Sequence, residues 1–83
     1  VRTNCWVITL VLGNRQEDAP EVQKVLTAHG CLFKVRLGVP WGEVCPTEGL
    51  IILVADGSEE DMASFMAEMR NFAHVKVHQT AIC

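Results

Sequence analysis

The chain has 83 residues, 49% of them hydrophobic, and a formal net charge of −3. That length is one domain, residues 1–83, and a domain so small buries only roughly 60–65% of the surface its unfolded chain exposes. The acidic balance argues against direct nucleic-acid binding, and no window reaches about 18 apolar residues, so no membrane helix is expected. So much apolar surface on so small a domain leads us to expect a partner subunit.

Residues 4–12, NCWVITLVL, are rich in β-branched and aromatic types and apolar on both faces, the pattern of a central strand. The segment has a weak likeness to a signal h-region, but Thr9 interrupts it and no small-residue cleavage site follows. The first residue is Val1, which leads us to expect a trimmed or truncated start. GNRQED, residues 13–18, has no period and is expected to be a loop.

A helix is expected next. Asp18 suits an N-cap, Glu21 completes a capping-box spacing, and Pro20 falls in the first turn. Val22, Val25, Leu26 and His29 recur on one face, and Gly30 is the expected C-terminal stop. Residues 32–39, LFKVRLGV, alternate. Phe33, Val35, Leu37 and Val39 are expected on one face, with Lys34 and Arg36 on the other.

RLGVPWGEVCP, residues 36–46, then joins this strand to LIILVA, residues 50–55, a second central strand. In that connection Gly38 marks a bulge or a close approach, Pro40 ends pairing, and Trp41 is an aromatic suited to an interface. The competing reading folds Trp41 back over its own core.

Asp56-Gly57 reads as a turn and Ser58 as the cap of a second helix, with Glu59, Glu60 and Asp61 in its first turn. Met62, Phe65, Met66, Met69 and Ala73 form its apolar stripe, and Arg70 lies in its last turn. Residues 74–82 alternate again, Val75 and Val77 against Lys76, His78 and Thr80.

The order β-α-β-β-α-β with right-handed crossovers is the split βαβ pattern of an α+β, ferredoxin-like sandwich. Strands one and three take the middle of an antiparallel four-stranded sheet, and two and four take the edges. Both helices cover one face. The other face is left open, and a large exposed apolar face marks an interface.

The four cysteines, Cys5, Cys31, Cys45 and Cys83, form no C-x-x-C pair. We expect reduced thiols in a cytoplasmic protein, with Cys5 and Cys31 acting as small core hydrophobes; a disulfide framework is the less favoured alternative. His74 and His78 share a face but lie roughly 13 Å apart along a strand, too far to chelate one ion alone. With Cys83 they form the alternative, a metal site shared between subunits. The third strand lacks aromatics and the first has only Trp6, so the RNA-stacking version of this fold is not matched. Lys34 and Arg36 read as edge-strand gatekeepers or part of an interface rim, with Trp6, Pro40 and Trp41 beside them. No catalytic motif or P-loop is present, and no cofactor is expected. Gly13, Asn14 and Arg15, where a central strand meets a helix N-terminus, are the candidate small-ligand site.

Several stretches carry a family resemblance. They are the end of strand one with A-x-x-V-Q-K-V-L, then H-G, Arg36-Leu37-Gly38-Val39-Pro40, and V-A-D-G ending in Asp56-Gly57. Together they resemble small stand-alone proteins assigned as regulators of the iron-only hydrogenase system. The resemblance spans about Asn4 to Ala81. It implies an ACT-like fold similar to the C-terminal domain of the nickel-responsive regulator, association as a homo-dimer or homo-tetramer, and a small-molecule effector at a subunit interface. That regulator uses a His-x-His pair, whereas this chain has His74-x-x-x-His78, so nickel binding is not carried over. These residues also supply no separate DNA-binding domain.

Overall fold

The computed structural model describes residues 4–13, 15–41 and 48–83, with backbone only for residues 15, 16, 39–41 and 48. Strand β1 runs Asn4–Leu12 and helix α1 runs Arg15–Ala28. After a 3-10 turn at Gly30–Leu32 comes strand β2, Phe33–Trp41, then strand β3, Glu48–Gly57. Helix α2 spans Glu59–Met69 and strand β4 spans Val75–Ala81. All pairings are antiparallel in the order β2-β3-β1-β4. The chain is a ferredoxin-like α+β sandwich with its two continuously apolar strands in the centre.

The core lies between the sheet and the helices. From β1 it takes Ile8, Leu10 and Leu12; from β3, Ile51, Leu53 and Ala55. Val22 and Leu26 of α1 and Met62, Phe65 and Met69 of α2 close it from above. Phe33 and Phe65 meet edge to face, with centroids 4.9 Å apart at 76°. That geometry adds about 0.5–1.5 kcal/mol beyond area burial. The helices are tied at their C-terminal ends by His29, whose Nε2 contacts Glu68 Oε2 and whose ring stands edge-on to Phe65 at 5.7 Å.

Helix α2 is capped as its sequence dictates: the Ser58 hydroxyl oxygen accepts from the Asp61 amide at 3.0 Å. Helix α1 departs from expectation. It starts at Arg15, so Glu17 and Asp18 sit in its first turn and Pro20 is internal. Asp18 is therefore not the N-cap; one of its carboxylate oxygens is buried without a hydrogen-bond partner. Val22 and Leu26 are buried under the helix, and burying two aliphatic side chains offsets the missing amide at Pro20. Gly30 opens the 3-10 turn, where the Leu32 amide donates to the His29 carbonyl at 2.9 Å, instead of acting as a left-handed stop. Ala73 lies past the end of α2 and is exposed, so it is not in the apolar stripe.

The expected turn at Asp56-Gly57 is the end of β3, where the two residues pair with Cys5 and Asn4. A Cβ on Gly57 would lie 2.7 Å from Leu32 Cδ1, so the 3-10 turn packs closely on this position and a larger residue would require the Leu32 side chain to shift. Gly38, by contrast, has open space around it and marks no close approach. The bulge lies earlier in β2: Phe33 pairs with Ala55 and Val35 with Val54, leaving Lys34 as the extra residue. Pro40 does not end the strand; it pairs with Gly49, and an edge strand tolerates a residue without an amide hydrogen.

Candidate functional site: the open face of the sheet

Side chains alternate across a pleated sheet, so the buried residues assign the faces. Ile8, Leu10 and Leu12 face the helices, which sends Val7, Thr9 and Val11 to the opposite side, where each is half-buried. On β3, burial of Ile51, Leu53 and Ala55 likewise sends Leu50, Ile52 and Val54 to the open side. Neither helix covers these residues.

The bulge at Lys34 decides what β2 adds. It shifts the alternation by one residue, and such a slip moves the rest of a strand to the other face. Phe33 therefore enters the core, while Val35 and Leu37 pair opposite Val54 and Ile52 on the open side. They are 48% and 51% exposed. The expectation that Phe33, Val35 and Leu37 share one face is thus corrected. The open face becomes more apolar than the sequence pattern suggests.

The opposite edge is polar. Lys76, His78 and Thr80 of β4 pair with Val11, Thr9 and Val7, which places them on the open face beside its apolar centre. Val75 and Val77 point the other way, as expected, and only Val75 is fully buried. The open face is therefore an apolar field across β2, β3 and β1 with a cationic and hydroxyl-bearing margin on β4. Contact with another apolar surface is what this arrangement does chemically.

One corner of this face carries a covalent link. Cys5 and Cys83 form a disulfide with Cα atoms 5.3 Å apart and 78 residues of separation. This corrects the expectation of reduced thiols throughout. Neither cysteine expected in the core is there: Cys5 is half-buried and bonded, and Cys31 is an exposed free thiol. No spacing signal reveals the pair, because only the β1–β4 register brings the two positions together.

The other predicted site residues scatter. Trp6 lies on the helix side, in a shallow groove with Met62, Met66, Arg70 and Gln79, so it is not on the open face. Arg36 also turns to the helix side, where its guanidinium donates to Gln23 Oε1 of α1 at 2.7 Å. Lys34 is exposed at the bulge. Pro40 and Trp41 complete β2 by backbone pairing, and the rest of the connection, residues 42–47, lies outside the described residues. Whether Trp41 packs on a partner or on its own core falls outside them too.

At the candidate ligand loop, the Gly13 amide donates to the His74 carbonyl at 2.8 Å. A Cβ on Gly13 would approach that oxygen to 3.3 Å, so glycine permits the close contact of the two connections. Asn14 and the Arg15 side chain lie outside the described residues. Glu17 and Asp18 place negative charge in the first turn of α1, where the helix dipole favours it. The alternative metal set is His74, His78 and Cys83. His74 precedes β4, and the Cys83 sulfur is bonded to Cys5 and so is not a thiolate ligand. Among the described residues no three His, Cys, Asp or Glu side chains gather into a metal-binding group.

No family model matches the chain, and no curated protein matches it. Solved structures share its fold. The uncharacterized protein TM1266 from Thermotoga maritima superposes with a TM-score of 0.87 at 17% identity, covering 99% of this chain and all of that one. A protein assigned as a glycine cleavage system transcriptional repressor gives 0.72 at 19% identity. This chain is covered in full there and spans 48% of that protein. The PII-like protein CPII from Thiomonas intermedia K12, solved with ADP, AMP and acetate, gives 0.57 at 17% identity, with 100% and 93% coverage. Identities this low establish a common fold. No helix among the described residues is long and apolar enough to cross a membrane.

Proposed function

We propose that this chain is a small homo-oligomeric regulatory module that works by binding, with no catalytic role. The observation that carries the reading is the uncovered apolar face, above all Val35 and Leu37 beside Ile52 and Val54. Exposed aliphatic side chains at the middle of a strand are costly in water and are stabilised when a second surface covers them. A homo-dimer or homo-tetramer would cover them without a foreign partner. The fold neighbours favour the same class, since they include a protein assigned as a transcriptional repressor and a nucleotide-bound, PII-like nitrogen regulatory protein.

The effector would be a small molecule bound at Gly13, Asn14 and Arg15 or at the subunit interface. The role this reading gives it lies in the iron-only hydrogenase system, on the resemblance carried most specifically by Arg36–Pro40 and Asp56-Gly57, and a cytoplasmic location accompanies it.

Sedimentation at micromolar concentration tests the oligomer. The native chain is expected to sediment above monomer mass, and Leu37→Glu is expected to sediment as a folded monomer. A native chain that stays monomeric would overturn the reading. A thermal-shift screen of amino acids and nucleotides tests the effector; a ligand at 100 times its Kd adds about 2.7 kcal/mol. No shift above about 2 °C would leave a purely structural accessory subunit.

A further inference from the structure

We propose that the Cys5–Cys83 disulfide is a redox-operated clasp whose opening releases the outer half of edge strand β4. The inference stands apart from the oligomer reading, because it concerns one strand within a single chain.

Strand β4 is anchored unevenly. Val75 is buried and Val77 half-buried, both packed against the helix-side core. From His78 through Ala81 every residue is exposed. That outer half has no apolar anchor. It is held by its ladder to β1, where Trp6 pairs with Ala81 and Ile8 with Gln79. One more hydrogen bond follows, from the Ile82 amide to the Cys5 carbonyl at 2.9 Å. The disulfide is the only covalent tie at that end among the described residues. Solvent-exposed edge segments with few apolar contacts open at low free energy, so a covalent clasp there controls whether the ladder stays closed.

The clasp is accessible. Cys83 is exposed while Cys5 is half-buried, so an incoming thiolate meets the Cys83 sulfur first. The reductant is a dithiol. Its thiolate attacks Cys83, and Cys5 leaves as a thiolate and takes a proton. The second dithiol sulfur then displaces Cys83, which takes a proton in turn. Two electrons and two protons pass to the cysteine pair, and the dithiol departs as a disulfide.

Opening changes two features together. The Trp6–Ile8 segment of β1 becomes a bare strand edge, a template for added strands. The groove holding Trp6 also loses its Gln79 wall.

Hydrogen exchange of the full chain, oxidised and then treated with tris(2-carboxyethyl)phosphine, tests this. On reduction, amides 79–82 are expected to exchange within seconds while those of β3 and α2 stay protected over the same interval. Cys83→Ser is expected to show the open pattern without reductant, and Cys31→Ser the closed one. In a Trp41→Phe background, Trp6 emission is expected to move to the red on reduction. Unchanged protection at 79–82 would overturn the proposal. So would exchange of β3 and α2 within the same seconds as 79–82, which marks global unfolding on reduction with no local clasp.

Discussion

The two faces of one sheet are built from nearly the same residue types, yet they have opposite fates. Toward the helices, Ile8, Leu10 and Leu53 are fully buried. Away from them, Val35 and Leu37 are about half exposed. Strand propensity cannot separate the faces, since Val, Ile and Leu suit either. The difference is what lies on top. One face is covered by two amphipathic helices of the same chain, and the other awaits a surface that the fold does not supply. The first face makes the domain stable. The second is the surface proposed for association.

Mutations that treat the faces alike should therefore give unlike results. Phe65→Ala removes the ring at the centre of the covered face, where it meets Phe33 and His29. It is expected to cost about 3–5 kcal/mol in urea denaturation, and a loss under about 1 kcal/mol would show that the covered face is not the stabilising one. Reduction of Cys5–Cys83 comes next, with an expected loss of about 2–4 kcal/mol, because the cross-link spans most of the chain and restrains the unfolded state. The oxidised and reduced midpoints in guanidinium measure it.

Ser58→Ala removes the cap of the helix that closes the covered face and is expected to cost about 1 kcal/mol; Ser58→Asp should largely restore it. Leu37→Ala should be smallest, within about 0.5 kcal/mol when measured on dissociated chains. The same variant should weaken association clearly in sedimentation. Equal losses for Leu37→Ala and Phe65→Ala would dissolve the distinction between the faces.

Much of this was legible residue by residue. Continuous apolar runs at 4–12 and 50–55 placed two strands in the middle, and the α2 cap followed from Ser58 and its acidic first turn. The start of α1 was not legible, because GNRQED carries loop-like residues. The helix nonetheless takes in Arg15 through Asp18. The candidate site was half legible. An open face with apolar residues of the two central strands was implied by two helices and four strands, but what β2 adds to it was not. Lys34 has no glycine or proline beside it to announce a bulge, so Val35 and Leu37 read as sharing the face of Phe33.

The chain's own pattern thus determined the element order, the central strands and the covered layer, since periodicity and capping act over a few residues. Three things waited on the tertiary structure. Register against β3 set the bulge and sent Val35 and Leu37 outward. Register against β1 brought Cys83 to Cys5 across 78 residues. Packing on the sheet turned Trp6 and Arg36 toward the helices. Each depends on which distant strand lies alongside, and no short stretch of sequence carries that information.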